Sequence, residues 1–483
     1  MASDSSGHDS QSILNYVLVA PRAPITLNLF EAERYESAVV VQPLIGNLVY
    51  YSNRGRYEPK LARSWSRVDS FSWRFTMHQG LFCENGEAIT AESFRKSILR
   101  SLRVLTKKSD FPIFNRLVGF QEFKAGGDLP GIQAHGDDLT FKFDKPLRSG
   151  LLQLLSFAPF GYICTENVTA DGTWKDDLKF ISSGPFRIES LELGKSYLLT
   201  RNPKWTLGFK ENAPQMIKIG HTKPSSLEVG AHWIVDSFNP VQNLPKEFSE
   251  YRLVPEYINP ILMGNFEKGY FASVQNRQYF RGLLEKHRSN LPNRWDGHTR
   301  STSFYPNQDS VGRERPILNV RPTTVPSEKI RIGGVEPKEG GQKEKTWLVL
   351  KSALVEAGLP FEFVGEKTTM AALGNRQLDL RMVGGSVGGG VEPWGISILF
   401  CSDLGPSFPD PSGRICRIVD DFENDRIDEK DFSSVFFKIV DEDAALVAVS
   451  HFGIQLFLSA KINRDSISPL MSVMRFEDLG LER

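Results

Sequence analysis

Residues 71–102 read Phe71-Ser-Trp-Arg-Phe-Thr-Met77, His78-Gln-Gly-Leu-Phe-Cys-Glu-Asn-Gly86, Glu87-Ala-Ile-Thr90, then Ala91-Glu-Ser-Phe-Arg-Lys-Ser-Ile-Leu-Arg-Ser-Leu102. The first seven residues alternate apolar and polar, the period of a half-buried strand with Phe71, Trp73, Phe75 and Met77 inward. Glu84-Asn-Gly86 is a turn. Thr90 has the chemistry of a helix N-cap, and Glu92 in the first turn suits the positive end of the helix dipole. Phe94, Ile98 and Leu102 then recur every four residues and define the buried stripe of a helix.

The same reading extends outward. Ile13-Leu-Asn-Tyr-Val-Leu-Val19 is a buried strand ended by Pro21 and Pro24, and residues 35–50 read as a helix that Pro43 divides. Leu139-Thr-Phe-Lys-Phe143 is a further strand, and residues 182–205 form a hairpin ended by Asn202-Pro203. Five prolines between 292 and 326 give residues 286–328 the texture of long surface loops. Trp347–Gly358 reads as a helix stopped by glycine, and Phe361–Val364 and Leu378–Val383 as strands. The apolar run at 444–460 is broken by Ser450, His451, Gly453 and Gln455, so it is a buried element rather than a membrane span. Interleaved strands and helices make the class α/β.

With 483 residues the chain is long enough for roughly three domains. Lys plus Arg and Asp plus Glu both total 58, so no basic excess marks a nucleic-acid surface. The leader Met1-Ala-Ser-Asp-Ser-Ser-Gly-His-Asp-Ser10 has neither a basic nor an apolar signal region. That leaves cytoplasmic residence and a removed signal both open.

Chemistry-bearing motifs are sparse. The glycine run 384–390 lacks the Lys-Ser/Thr of a phosphate loop. Gly384-Gly-Ser-Val-Gly388 matches a nucleophile elbow by letters, but Gly389, Gly390 and Pro393 follow where a helix should begin, so Ser386 is not read as a nucleophile. The eight histidines form no metal spacing, and the runs Asp441-Glu-Asp443 and Asp420-Asp-Phe-Glu423 read as solvated faces, so neither metal nor cofactor is expected. Trp233 and Trp394 stand beside loop signals, as core residues or as walls of a ligand pocket. Cys83, Cys164, Cys401 and Cys416 form no CxxC pair. Cys401 and Cys416 bracket a turn-rich loop that a disulfide could close in an oxidising compartment, with four reduced thiols as the alternative.

An ordered series of segments is similar to the family 5 extracellular solute-binding proteins, the dipeptide, oligopeptide and nickel group. Leu44 to Tyr51 and Tyr57-Glu-Pro-Lys-Leu-Ala-Arg-Ser-Trp65 resemble the family's opening. Trp73–Phe82, Glu84-Asn-Gly86 and Ile89-Thr-Ala-Glu92 resemble its next block, and Ser183-Gly-Pro-Phe-Arg187 with Arg201-Asn-Pro-Lys-Trp205 its "G-P-Y … R-N-P" signature. Fainter echoes lie at Asn276–Leu284, at Leu378-Asp379 and at Glu392-Pro393.

The resemblance implies a two-lobed type II periplasmic binding protein of the large cluster, with the solute engulfed between lobes by hinge closure. Lobe I would comprise 13–45, 180–250 and 446–483; a domain at 46–179 would be inserted in it; lobe II would be 255–445. It further implies the Cys401–Cys416 disulfide. The ligand-binding residues it suggests are Asn28 and Leu29, His232 and Trp233, Tyr270, and Gly388 and Gly389 with Trp394. The implied role is the substrate-binding component of an ABC importer rather than an enzyme. Such a protein would be a monomer, periplasmic or extracellular, free or tethered to the membrane, with an oligopeptide or other small ligand, a membrane permease as partner and no nucleic acid. The alternatives are the sensing domain of a transcriptional regulator, for which only twelve residues precede Ile13, or a hydrolase.

The chain departs from the family's peptide-binding members, which place an aspartate before the Glu-Pro pair to meet the peptide α-ammonium. Here Gly388 and Gly389 occupy that place, and Asn85 replaces another usual aspartate. Burying an ammonium without a counter-charge costs several kcal/mol. The ligand therefore either lacks a free peptide N-terminus or finds its charge partner elsewhere.

Overall fold

The computed structural model describes residues 13–19, 25–31, 35–52, 56–105, 113–176, 178–193, 195–221, 227, 230–237, 241–252, 257–295, 298–301, 328–334, 336–337, 343–365, 378–386, 393–401, 408–467 and 474–482. The chain forms two units, residues 1–253 with 454–483 and residues 254–453, and passes between them twice.

The first unit is built on a seven-stranded sheet in the order 186–192, 196–201, 216–220, 13–18, 232–237, 455–458, 249–252. Its centre is parallel, with the strand Ile13–Leu18 flanked by Met216–Gly220 and His232–Ser237. The outer pairs are antiparallel, including the hairpin Phe186–Glu192/Ser196–Arg201 expected from the sequence.

A separate four-stranded sheet, in the order 62–69, 72–77, 138–142, 132–135, lies within residues 46–179. The strand Ser72–Met77 buries Trp73, Phe75 and Met77, and the Trp73 indole donates to the carbonyl of Leu147 at 2.9 Å. Phe71 departs from its expected inward position and is 46% exposed. It sits in the hairpin turn, where its N–H donates to the Asp69 side chain at 2.7 Å and the alternation has ended. The helix Ala91–Leu105 is capped as expected. The Ser93 N–H donates to Thr90 Oγ1 at 3.1 Å, and the Thr90 N–H donates back to Ser93 Oγ at 2.8 Å. Phe94, Ile98 and Leu102 are fully buried.

The helix expected over 35–50 is shorter. Pro43 lacks the N–H needed to continue it, so Tyr35–Val41 gives way to a 3-10 turn at Gln42–Leu44.

The second unit has an eight-stranded sheet whose main path runs 294–295, 298–300, 446–452, 257–263, 380–382, 330–333, 361–364, with 385–386 paired beside 257–258. The strands Ile330–Gly333 and Phe361–Val364 are parallel, joined through the helix Glu344–Glu356 in a βαβ unit. Pro260 is tolerated in the central strand Tyr257–Met263 because the register shifts at Asn259/Pro260, a bulge that needs no ladder N–H there. Two cores cover the two faces. Ile261, Met263, Val447 and Val449 pack with Phe280, Trp347 and Leu350 on one side. Ile258, Leu262 and Leu446 pack with Phe400, Phe432 and Phe436 on the other.

Two boundaries read from sequence shift. The apolar run at 444–460 is two strands, Leu446–Phe452 in the second unit's sheet and Gln455–Leu458 in the first's, so 446–453 does not go with 454–483. Residues 286–328 are not all loop. The helix Val274–Ser289 reaches into them and a short hairpin pairs Arg294–Trp295 with His298–Arg300, whereas 302–327 lie outside the described residues.

Both cysteine pairs are bonded, Cys401 to Cys416 across the turn-rich loop and Cys83 to Cys164 across 81 positions. No described helix is long and apolar enough to cross a membrane.

Candidate functional site

In the first unit the parallel register sets Leu18 beside Asp236 at the carboxyl ends of strands 13–18 and 232–237. In open α/β sheets such ends are where ligands bind. The two-residue period puts Tyr16, Leu18, Ile234 and Asp236 on one face and Val17, Trp233 and Val235 on the other. On the first face the hydroxyls of Tyr16 and Tyr35 both donate to Asp236 Oδ2, Tyr35 at 2.5 Å. Phe476 packs edge-on against Tyr16 at 5.5 Å.

Burial raises the Asp236 carboxyl to about 7; the two phenol hydrogen bonds oppose that rise, and the Glu36 charge adds to it. Burial, and after it the Asp236 charge, holds both phenols well above their ordinary range. Sequence reasoning missed this cluster. Tyr16 and Tyr35 read only as parts of apolar elements, and Asp236 follows two valine-type positions with no motif around it.

In the second unit, strands 257–263, 446–452 and 298–300 bring a second cluster together. Asn259 Nδ2 donates to Ser450 Oγ at 3.2 Å, and His298 Nδ1 lies 3.2 Å from the same oxygen. All three side chains are buried. An aromatic row borders them. Trp295 stacks on His298 with ring centroids 5.7 Å apart, His298 meets Phe452 at 5.0 Å, and Phe452 stacks on Tyr257 at 5.2 Å. Trp295, Phe452 and Tyr257 are half-buried. Gly384 stands against this cluster, where a Cβ would come within 3.3 Å of Asn259 Oδ1, and Ser386 pairs with Tyr257. Stacking faces beside fixed polar groups suit recognition of a small solute. Ser450 is fully buried and shared between Asn259 and His298, so it is not an open nucleophile. Among the described residues no three His, Cys, Asp or Glu side chains converge as a metal site would need.

The residues suggested from sequence fall in separate places. Asn28 accepts from the Phe30 N–H at 3.1 Å and closes a turn in which Leu29 is buried. The His232 ring lies on the same face as Asp236, with Nε2 2.9 Å from the Glu482 carbonyl. Trp233 packs on the opposite face with Val17, Val235 and Phe457. Tyr270 is buried in the core beside Phe271, and burial pushes its hydroxyl up to about 12, with Tyr279 adding to the effect. Trp394 opens the helix Pro393–Cys401, and its buried indole N–H meets no acceptor among the described residues. Gly388, Gly389 and Glu392 lie outside the described residues.

Comparison with known proteins agrees with this architecture. Residues 56–229 match the model of bacterial extracellular solute-binding proteins, family 5, middle region. A Haemophilus influenzae protein named as a binding protein is 27% identical over 190 residues, 37% of this chain. That match spans about a third of the curated relative, 34% of its length. Among solved structures, the periplasmic murein tripeptide binding protein MppA in its unliganded open form aligns with a TM-score of 0.71 at 16% identity over 97% of both chains. NikA from Brucella suis, in complex with Fe(III)-EDTA, aligns with a TM-score of 0.69 at 16% identity, over 97% of this chain and 100% of its own. The clavulanic acid biosynthesis oligopeptide binding protein 2 gives 0.71 at 14% identity, covering 98% and 96%.

The fold is therefore that of the type II periplasmic binding proteins. Within it, residues 56–229 match the family 5 solute-binding model.

Proposed function

We propose that this protein is the substrate-binding component of an ABC-type importer and captures a peptide-like or other small solute. The observation that carries this reading is the half-buried aromatic row of Tyr257, Phe452 and Trp295 around the buried Asn259–His298–Ser450 cluster, on a fold shared with solute receptors. Its place is periplasmic or extracellular, and its partners are the solute and a membrane permease. The protein works as a monomer and without catalysis. Capture drives hinge closure only through tighter binding to the closed state. The two disulfides support an oxidising compartment.

Native mass spectrometry of protein purified without refolding tests the reading. The expected result is an added small-molecule mass lost on mild activation, or a thermal stabilisation by some member of a peptide, glycan and chelate panel. An apo mass together with no stabilisation anywhere in the panel would overturn it.

A further inference from the structure

The two disulfides differ in access. Cys83 and Cys164 are both 0% exposed, so a thiolate meets their sulfurs only when the surrounding core opens. Cys401 and Cys416 are half-buried, at the surface of the second unit. Exchange of a disulfide requires a thiolate to reach one of its sulfurs, so the second bridge is the one open to it in the folded chain.

That bridge also joins two helices that do not depend on it. Pro393–Cys401 and Arg414–Glu423 pack together through Ile396, Phe400, Ile415, Ile418, Val419 and Phe422. Phe408, in the chain between them, donates its N–H to the Leu399 carbonyl at 2.8 Å and packs against the Phe400 ring with centroids 5.5 Å apart. These contacts keep the two sulfurs close when the bridge is open, and the short closure of 15 positions favours its return.

The helix ends set the two sulfurs apart. Cys401 is the last residue of its helix and Cys416 the third of its own, so the helix dipoles favour a thiolate on Cys416 over one on Cys401. Arg417 in the same turn acts in the same direction, and Arg414 does so less because Glu442 and Asp443 pair with it. Asp410, whose Oδ2 accepts the Cys416 N–H at 3.0 Å, and the Phe400 carbonyl, 3.5 Å from Cys416 Sγ, oppose them. The sulfur better held as a thiolate is the better leaving group, which makes Cys401 the sulfur attacked.

We propose that Cys401–Cys416 is a reversible thiol-exchange site that takes a low-molecular-weight thiol as a mixed disulfide on Cys401. The incoming thiolate sulfur bonds to Cys401 Sγ as the Sγ–Sγ bond breaks, and the electron pair of that bond leaves on Cys416 as a thiolate. The incoming sulfur is oxidised to the disulfide level and the Cys416 sulfur is reduced, so no further oxidant or reductant enters. Return attack by Cys416 on Cys401 Sγ expels the thiol and restores the bridge. The receptor reading above does not depend on this site.

The test is timed exposure of the folded, unmutated chain to 2-mercaptoethanol, trapping of free thiols with N-ethylmaleimide, and peptide mass spectrometry without reduction. At early times the thiol should be found on Cys401 and the maleimide on Cys416, with Cys83–Cys164 opening about tenfold more slowly or slower still. In denaturing urea the two bridges should open at similar rates, because the difference in access belongs to the fold. Opening of Cys83–Cys164 in the folded chain as fast as Cys401–Cys416, no labelling of the folded chain, or a rate difference that persists in urea would overturn the exchange site. Thiol on Cys416 with maleimide on Cys401 would overturn the assigned direction of attack.

Discussion

The Lys60 ammonium lies 3.1 Å from Glu477 Oε1, joining residues 417 positions apart, both of them buried. Arg475 reaches the same oxygen at 3.1 Å, and its guanidinium stacks over the Tyr50 ring at 3.2 Å. The C-terminal segment is thereby tied to the strand Val49–Tyr51 and to the residue before Leu61 by charge as well as by packing.

Removing one partner of that network should be costly. Burial would raise the Glu477 carboxyl, but Lys60 and Arg475 outweigh it and hold it at about 2. A carboxyl held below its unfolded value contributes stability that is present above roughly pH 4.3 and lost as pH falls through about 2. Glu477→Gln leaves the buried Lys60 ammonium without its counter-charge, takes one of two carboxylates from Arg475, which keeps Asp478 at 2.8 Å, and should cost on the order of 3 kcal/mol at pH 7. It should also flatten the acid limb of the stability curve. Urea titrations between pH 2 and 7 measure both effects, and an unchanged midpoint would remove the energetic role of the network.

Asp236 should act with the opposite sign. Its carboxyl is raised to about 7, so the folded state holds a proton that the unfolded state has already released. That contribution is fully present below about pH 3.9 and is lost as pH rises through about 7. The groups facing it are Tyr16, Tyr35 and Glu36. In the ligand-free protein, Asp236→Asn should remove this decline, so that its stability relative to the parent is greater at pH 8 than at pH 5. The difference should be at most about 2.7 kcal/mol, two pH units' worth between pH 5 and the folded value of about 7. Paired denaturation curves at the two pH values decide it.

Gly184 should not accept a side chain. A Cβ there would lie 2.6 Å from Pro43 O, Leu44 C and Ile45 N, all of them backbone atoms that cannot move aside. The segment is also held by hydrogen bonds from the Ser183 and Gly184 N–H groups to the Leu44 carbonyl, at 3.1 and 3.0 Å. Gly184→Ala should cost about 1–3 kcal/mol through overpacking. A melting temperature equal to the parent's would contradict this geometry.

The Cys83–Cys164 bridge closes a loop of 81 residues, against 15 for Cys401–Cys416. Loop-closure entropy assigns the first roughly 4.5 kcal/mol and the second roughly 3. Double replacement of Cys83 and Cys164 by Ser should therefore lower stability at least as much as replacement of Cys401 and Cys416. Thermal melts of the two double variants, with and without reductant, compare them directly.

What the sequence determined by itself was local. The alternation of Trp73, Phe75 and Met77, the Thr90 cap and the four-residue stripe of Phe94, Ile98 and Leu102 are encoded within a turn or two of chain, so composition and spacing suffice to read them. The family signature was legible for a related reason. Ser183-Gly-Pro-Phe186 marks a close backbone approach that only glycine permits. The Cys401–Cys416 loop was short enough to suggest its own closure, whereas Cys83 and Cys164 have no local relation.

Tertiary structure decided the rest, because it depends on which strands become neighbours and in what register. One apolar run at 444–460 serves two different sheets, which no periodicity within it reveals. Tyr16, Tyr35 and Asp236 come together only because strand 13–18 lies parallel to 232–237 with Leu18 opposite Asp236. Asn259, His298 and Ser450 likewise meet through three strands whose pairing spans 191 positions. A one-residue slip in either register would turn these side chains to the opposite face, so the polar clusters belong to the fold and not to any segment of the chain.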